Sequence, residues 1–153
     1  MPARIRSWLA ALTAPQELPL APGERRRVAS DESRARAGQA AEDAAVAHLR
    51  RHGYRILCRN RANSIGELDI VARQGERLVF VEVRARREGS PVGAKDTLTA
   101  HKRRTLARTI ELFVRQHRLA NAPIRVDLIA ITQAATAATL DLQHYQAIAL
   151  DDH

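Results

Sequence analysis

Two alternating, β-branched segments separated by three residues constrain the fold of this chain more than any other feature. Residues 67–73 read ELDIVAR, residues 77–86 read RLVFVEVRAR, and residues 74–76 (QGE) lie between them. Alternation with period two is typical of strands, and a short connection that contains glycine joins antiparallel neighbours. The sequence therefore predicts a β-hairpin.

Acidic residues occupy positions inside this hairpin where strands are usually apolar. Because successive side chains of a strand point to opposite faces, we expect Glu67 and Asp69 on one face and Leu68 and Ile70 on the other. Glu82 lies between two valines, where an uncompensated charge is costly to bury. If the two strands are neighbours, Asp69 and Glu82 face the same way at short distance.

Two interpretations of these carboxylates remain open at this point. Close carboxylates repel unless one is protonated or a cation lies between them, and Mg²⁺ takes oxygen ligands. Alternatively, Glu82 pairs with Arg84 or Arg86, and Asp69 and Glu67 pair with other arginines, as structural salt bridges.

The remaining sequence predicts helices on both sides of a mixed sheet. Residues 31–52 are rich in alanine and precede Gly53, which suits the left-handed position after a helix. Residues 97–119 carry an apolar stripe at helical spacing. Further strands are predicted at 54–61, 124–132 and 139–148, and a loop at 87–96. The order αβββαββ is typical of an α/β sandwich.

Length and composition bound the class of protein. The 153 residues suit one domain. Four prolines within the first 22 residues predict a disordered tail over residues 1–30, with the domain spanning 31–150. A single cysteine, Cys58, excludes a disulfide framework and favours a reducing, cytoplasmic location. No apolar run approaches the roughly 18 residues of a membrane span, so we expect no membrane partner.

The charge favours a polyanionic partner. Lys and Arg total 25 against 17 acidic residues, and the net charge is +8. The excess lies in residues 38–133, which hold 18 cations and ten acids. Nucleic acid is the commonest polyanion, although aromatic residues at 3% supply little stacking surface for single strands.

Short segments between residues 36 and 132 form a pattern in fixed order. They are Gly38-Gln39-Ala40-Ala41-Glu42, Gly53-Tyr54, Arg59-Asn60, Gly66 to Val71, Val79 to Arg86, Lys102, and Arg125 to Ile129. This pattern resembles the YraN family of uncharacterised bacterial proteins, which is related to PD-(D/E)xK nucleases and similar to archaeal Holliday junction resolvases. The resemblance implies a restriction-endonuclease-like fold and an endonuclease dependent on Mg²⁺ or Mn²⁺ that acts on DNA, branched DNA included.

The resemblance also implies roles for individual residues. Glu42, Asp69 and Glu82 would be catalytic carboxylates and metal ligands, with the Val83 carbonyl as a further ligand. Arg84 occupies the place of the superfamily's lysine. An arginine keeps its charge, so it can stabilise developing negative charge but cannot serve as a general base.

Several other side chains have both a functional interpretation and a purely structural one. Lys102 is a substitute for the missing lysine if its helix directs it to the site, and a solvated lysine otherwise. His48 and His52 have metal-ligand spacing, but we expect surface residues. We expect His101 to be solvated, Asp127 to pair with Arg125, and Cys58 to lie in the core.

Three functions are compatible with these features: a metal-dependent endonuclease, a nucleic-acid-binding module with a degenerate site, and a protein whose basic surface binds an acidic partner. DNA is favoured over RNA, and the small size together with the resolvase likeness is compatible with a homodimer. The predicted nucleic-acid-binding residues are Arg84, Arg86, Arg87, Lys102, Arg103, Arg104 and Arg108.

Overall fold

A six-stranded mixed sheet organises the computed structural model, which describes residues 16–28, 32–90, 98–134 and 140–151. The strands lie in the sheet in chain order; β4 and β5 are parallel and the other neighbours antiparallel. The elements are β1 (Arg25–Arg26), α1 (Glu32–Arg51), β2 (Arg55–Ala62), β3 (Glu67–Gln74), β4 (Arg77–Arg87), α2 (Ala100–Gln116), β5 (Ile124–Gln133) and β6 (Leu140–Tyr145).

The predicted hairpin, both helices and the mixed sheet are confirmed. β3 and β4 pair antiparallel through Gln74 and Arg77, and α2 crosses over between the parallel strands β4 and β5. Gly53 has a φ of 83°, the left-handed value expected after α1. β4 extends to Arg87, the first residue of the predicted loop at 87–96, and residues 91–96 of that loop lie outside the described residues.

The two helices cover opposite faces of the sheet, which confirms the α/β sandwich. Leu78 and Phe80 of β4 belong to a buried cluster with Phe113 of α2. The alternate residues Val79 and Val81 belong to a second buried cluster with α1. Cys58 is buried in the first cluster as predicted, and burial raises the pKa of its thiol to about 12. No helix in the described ranges has both the length and the apolar character needed to cross a membrane.

One detail of the predicted alternation is wrong. Leu68 packs in the cluster beneath α2, whereas Ile70 packs in the cluster beneath α1. The paired ladder between β3 and β4 begins only at Ile70 and Val81, so β3 leaves the regular pleat before that point. This departure lies directly beside the acidic residues.

The first described segment corrects the predicted domain boundary. Residues 16–28 pack on the domain: Leu18 is buried in the core and β1 pairs with β2. Arg61, which is 1% exposed, holds the segment by donating to the carbonyls of Leu18 and Pro19 and to Glu24. The predicted tail therefore does not apply to residues 16–28, while residues 1–15 lie outside the described residues.

Gly66 allows the turn before β3 to approach α2 closely. A Cβ at Gly66 would lie 2.5 Å from the Thr109 hydroxyl oxygen. The turn is fixed by Asn63, whose side chain accepts from the amides of Ile65 and Gly66 and donates to the Thr109 carbonyl. The close contact with Thr109 therefore explains why a glycine occupies position 66.

Asp127 lies at the centre of a buried polar network between β5, β6 and α1. Its carboxylate accepts from Arg125 in a bidentate pair, as predicted, and also bonds to His144 and to the Ala147 amide. His144 in turn contacts His48 at 3.1 Å, so His48 is not the surface residue we expected. His52 is exposed.

This network predicts acid-dependent stability. Although burial alone would raise it, hydrogen bonds from His144 and Arg125 lower the pKa of Asp127 to about 2 from 3.8. A carboxylate with a lowered folded-state pKa stabilises the fold above its unfolded pKa and loses that contribution as the pH falls through its folded pKa. We expect Asp127→Asn to lower the free energy of unfolding by about 2 kcal/mol at pH 7, and the difference from wild type to disappear between about pH 4 and pH 2. Urea unfolding across this range measures it, with exposed Asp141→Asn as the control; a pH-independent difference would contradict the assignment.

A carboxylate cleft as candidate functional site

The end of the β3–β4 ladder places two carboxylates side by side. Asp69 and Glu82 each lie one residue beyond Ile70 and Val81, the pair at which the β3–β4 ladder ends. The Asp69 Oδ2 atom accepts from the Val83 amide at 2.9 Å, which replaces the missing backbone partner at this point. The strand ends therefore hold Asp69 rigidly against the Glu82 carboxyl group.

The surroundings of Glu82 disfavour its ionised form. Burial first, and then the charge of Asp69, raise the pKa of Glu82 to about 8. The Arg84 guanidinium lies 3.1 Å from Glu82 and acts in the opposite direction without cancelling the shift. A cation bound close to both groups would favour the ionised form of Glu82.

Glu42 reaches the same place from α1. Its side chain is buried, and this burial raises the pKa of its carboxyl group. The charge of Asp69 raises this pKa further, whereas a hydrogen bond with Asn60 lowers it without cancelling the shift. Its Oε2 atom is buried without a hydrogen-bond partner, with Arg59 Nη2 at 3.7 Å. Glu42, Asp69 and Glu82 thus line the same cavity.

An arginine from the first described segment lies among these carboxylates. Arg27 Nη2 is 2.5 Å from Glu42 Oε1, and Arg27 Nη1 is 2.9 Å from Asp69 Oδ1 and 3.3 Å from Glu67 Oε2. The Asn60 side chain accepts from Arg27 at 2.7 Å. Burial by itself would lower the pKa of Arg27, but the negative charges of Asp69 and Glu42 have the larger combined effect and raise it.

The carboxylates open onto a cleft of about 500 Å³ between the two helices. α2 contributes His101, Lys102 and Thr105 to its wall, and β4 contributes Val83 and Arg84. Thr99 caps α2 by accepting from the Lys102 amide, and the first turn of this helix carries no acidic residue. The positive end of α2 and two cations therefore face the acidic floor.

The predicted nucleic-acid-binding residues line different cavities. Arg84 and Lys102 line the cleft, whereas Arg86 and Arg87, at the C-terminal end of β4, line a neighbouring cavity. Arg103 lines a third cavity beside His144. Arg104 and Arg108 are exposed on α2 and are not part of the cleft wall. These residues are close in the sequence but lie in different parts of the molecule, because consecutive side chains of a strand or a helix point in different directions.

The donor set suits a hard divalent cation, but Arg27 lies among it. Carboxylate oxygens are the ligands that Mg²⁺ and Mn²⁺ prefer, and Glu42 Oε2 is a buried carboxylate oxygen without a hydrogen-bond donor. As the side chains stand, the described residues include no three acidic, histidine or cysteine groups arranged to hold a metal. Arg27 takes one oxygen of Glu42 and one of Asp69, so these two oxygens are not free for a metal ion while the guanidinium is in place.

Sequence reasoning missed two members of this site. Arg27 was assigned to the tail, and Asn60, which bonds Arg27 and influences Glu42, was only part of a family segment. The run of three arginines at 25–27 was the available signal, but a basic run is usually a solvated surface. The φ of 52° at Asn60, a value uncommon outside glycine, also marks the position.

The fold and site define a class: an α/β sandwich with a buried carboxylate cluster where two central strands separate. Comparison with known proteins then names the family, because residues 41–131 match the model of uncharacterised protein family UPF0102, and the chain belongs to that family. A UPF0102 protein of Ectopseudomonas mendocina is 46% identical over 101 residues, 65% of this chain and 85% of the relative. One of Roseiflexus castenholzii is 39% identical over 112 residues, 72% of this chain and 90% of the relative.

Proposed function

We propose that this protein binds nucleic acid, DNA in preference to RNA, and cleaves its phosphodiesters as a divalent-metal-dependent endonuclease. The observation that carries the proposal is the convergence of Glu42, Asp69 and Glu82 on the floor of a cleft whose wall is cationic. An acidic floor alone would repel a phosphodiester. Carboxylates and cations that line the same cleft suit a metal ion and a phosphate together, because the carboxylates can bind the metal ion and the cations can bind the phosphate.

The carboxylates would hold the cation, Mg²⁺ or Mn²⁺. Asp69 and Glu82 are the central ligands in this proposal, with Glu42 and the Val83 carbonyl completing the set from the chain. Such an ion supplies Lewis-acid stabilisation of the charge that develops on the phosphate. It would also remove the repulsion that raises the pKa of Glu82, so both central carboxylates would be ionised.

The cations would hold the nucleic-acid backbone. Lys102 is exposed near the N-terminus of α2, where the helix dipole also favours a phosphate. Arg84, tied to Glu82, keeps its charge at all working pH values and would stabilise negative charge on the reacting phosphate without exchanging protons.

A non-catalytic nucleic-acid-binding module is the second candidate. Two observations favour it: Arg84 stands where the related nucleases carry lysine, and Arg27 neutralises Glu42 and Asp69 without any metal. In that function the cleft wall would still bind phosphate, and the acidic floor would be structural.

Binding by the cleft wall predicts a specific salt dependence. We expect DNA affinity to fall steeply with salt, and Lys102→Gln to reduce the log–log slope by about 0.9 for duplex DNA, the value for one lost phosphate contact. Arg87→Gln, which removes an exposed cation of β4 outside the cleft wall, is the matched control and should leave the slope unchanged. Fluorescence anisotropy from about 50 mM salt upward, where screening is weakest, measures both. Equal effects of the two variants would show that the cleft is not the binding surface.

Cleavage tests the enzyme separately from binding. Wild type and Arg84→Lys are incubated with branched, flapped and single-stranded DNA in Mg²⁺ and in Mn²⁺. We expect cleavage by the wild type, and Arg84→Lys should keep or increase it because lysine restores the arrangement of the related nucleases. If both proteins bind DNA and neither cuts it, the endonuclease proposal fails and the binding module is retained.

A further inference from the structure

The guanidinium of Arg27 occupies the position that a cation must take between the carboxylates. Its two terminal nitrogens contact different acids: Nη2 bonds Glu42 Oε1, and Nη1 bonds Asp69 Oδ1. These are two of the three side chains that the proposed function assigns to the metal. One positive group therefore already joins the acid of α1 to the acid of β3.

We propose that Arg27 is a built-in competitor of the divalent cation, and that the segment bearing it regulates access to the carboxylate cleft. The inference rests on the proposed function, since it concerns the same donor set. Arg27 and the metal exclude each other because both need Glu42 and Asp69, and because a second positive charge inside the cluster would be repelled by the first.

The way Arg27 is attached suits a reversible contact. The two residues before it form β1, whose side chains are exposed, and its own amide donates to the Asn60 carbonyl at 2.8 Å. Farther back, the segment is firmly fixed, since Arg61 and Glu24 form a buried ion pair. Arg27 can therefore swing out over a short distance while the anchor holds it near the cleft.

The origin of Arg27 also supports a regulatory role. The family match covers residues 41–131, which include Glu42, Asp69 and Glu82 but not Arg27. The competing group thus comes from a part of the chain outside the matched region, and the carboxylates come from inside it.

Metal binding, rather than activity, is the direct test. Mn²⁺ titrations by calorimetry and electron paramagnetic resonance compare the full-length wild type, Arg27→Gln and Arg26→Gln. Arg26 is the matched control because it is the adjacent arginine, 62% exposed, and pairs only with Glu17 among the ion pairs of the described residues. If Arg27 fills the site in about 90% of molecules, its removal should tighten the apparent Mn²⁺ affinity about tenfold. Arg26→Gln should bind Mn²⁺ as the wild type does.

A measurement on the wild type keeps the test independent of how the variant folds. Saturating Mg²⁺ should shift the NMR signal of the Arg27 Nε–Hε group to the position of a solvated arginine. Equal Mn²⁺ affinity in wild type and Arg27→Gln, with an Arg27 signal that Mg²⁺ leaves in place, would overturn the competition while leaving the metal site intact. Absence of Mn²⁺ binding in both proteins would overturn the metal site itself, and with it the enzyme proposal.

Discussion

Glu82→Gln and Asp69→Asn should each abolish metal-dependent cleavage while leaving the protein folded. Loss of a group that only orients a metal ligand typically costs 10–100-fold, so loss of a central ligand should cost at least about 100-fold in rate. Both changes are nearly isosteric, and salt-dependent DNA binding should persist because Lys102 is unaffected and Arg84 remains in the cleft wall. Single-turnover cleavage on a substrate cut by the wild type measures the loss.

The stability of Glu82→Gln separates loss of a ligand from damage to the fold. A carboxyl group whose folded-state pKa is raised to about 8 makes the fold less stable as the pH rises from the unfolded value through 8. Glutamine carries no such charge, so without metal the variant should be more stable than the wild type at pH 8.5. Thermal unfolding at pH 6 and pH 8.5 checks this. A variant that loses cleavage and is also less stable at pH 8.5 would contradict the repulsion between Asp69 and Glu82.

Arg61→Met should cause a large loss of stability. Arg61 is 1% exposed, and its partner Glu24 has a side chain that is also 1% exposed. Removing one member of a buried pair leaves the other charge uncompensated, which typically costs about 3–5 kcal/mol. The carbonyls of Leu18 and Pro19 lose their donor at the same time. We expect a fall of that size in the free energy of unfolding by urea.

The same substitution should release the first described segment. Without Arg61, residues 16–28 would keep the β1 pairing, the burial of Leu18, the bond between Glu24 and His117 and the contacts of Arg27, but would lose their buried anchor. Limited proteolysis should then cut within 16–28 faster than in the wild type. Arg25→Gln, an exposed change in the same segment, should alter stability by less than about 0.5 kcal/mol. A loss below about 1 kcal/mol for Arg61→Met would show that the ion pair does not anchor the segment.

Much of the framework follows from local sequence patterns. The alternation in 67–73 and 77–86 predicts the central hairpin, because a strand with one covered face must repeat with period two. The alanine-rich segment before Gly53 predicts α1 in the same local way. The acids of the hairpin could be placed together because antiparallel pairing needs only the turn at 74–76 to set its register.

The sequence by itself determined both helices and the strands β2 to β6, and it placed Asp69 and Glu82 on neighbouring strands. The tertiary structure decided the position of β1 and which groups neutralise the two carboxylates. Arg27 is 42 residues from Asp69, and no local pattern relates them. Its position depends on Arg61, whose burial in turn depends on Glu24 and on backbone carbonyls far away in the chain. The contact of His48 with His144, 96 residues apart, has the same origin. Such contacts are set by packing and by the need to pair buried charges, which local periodicity does not encode.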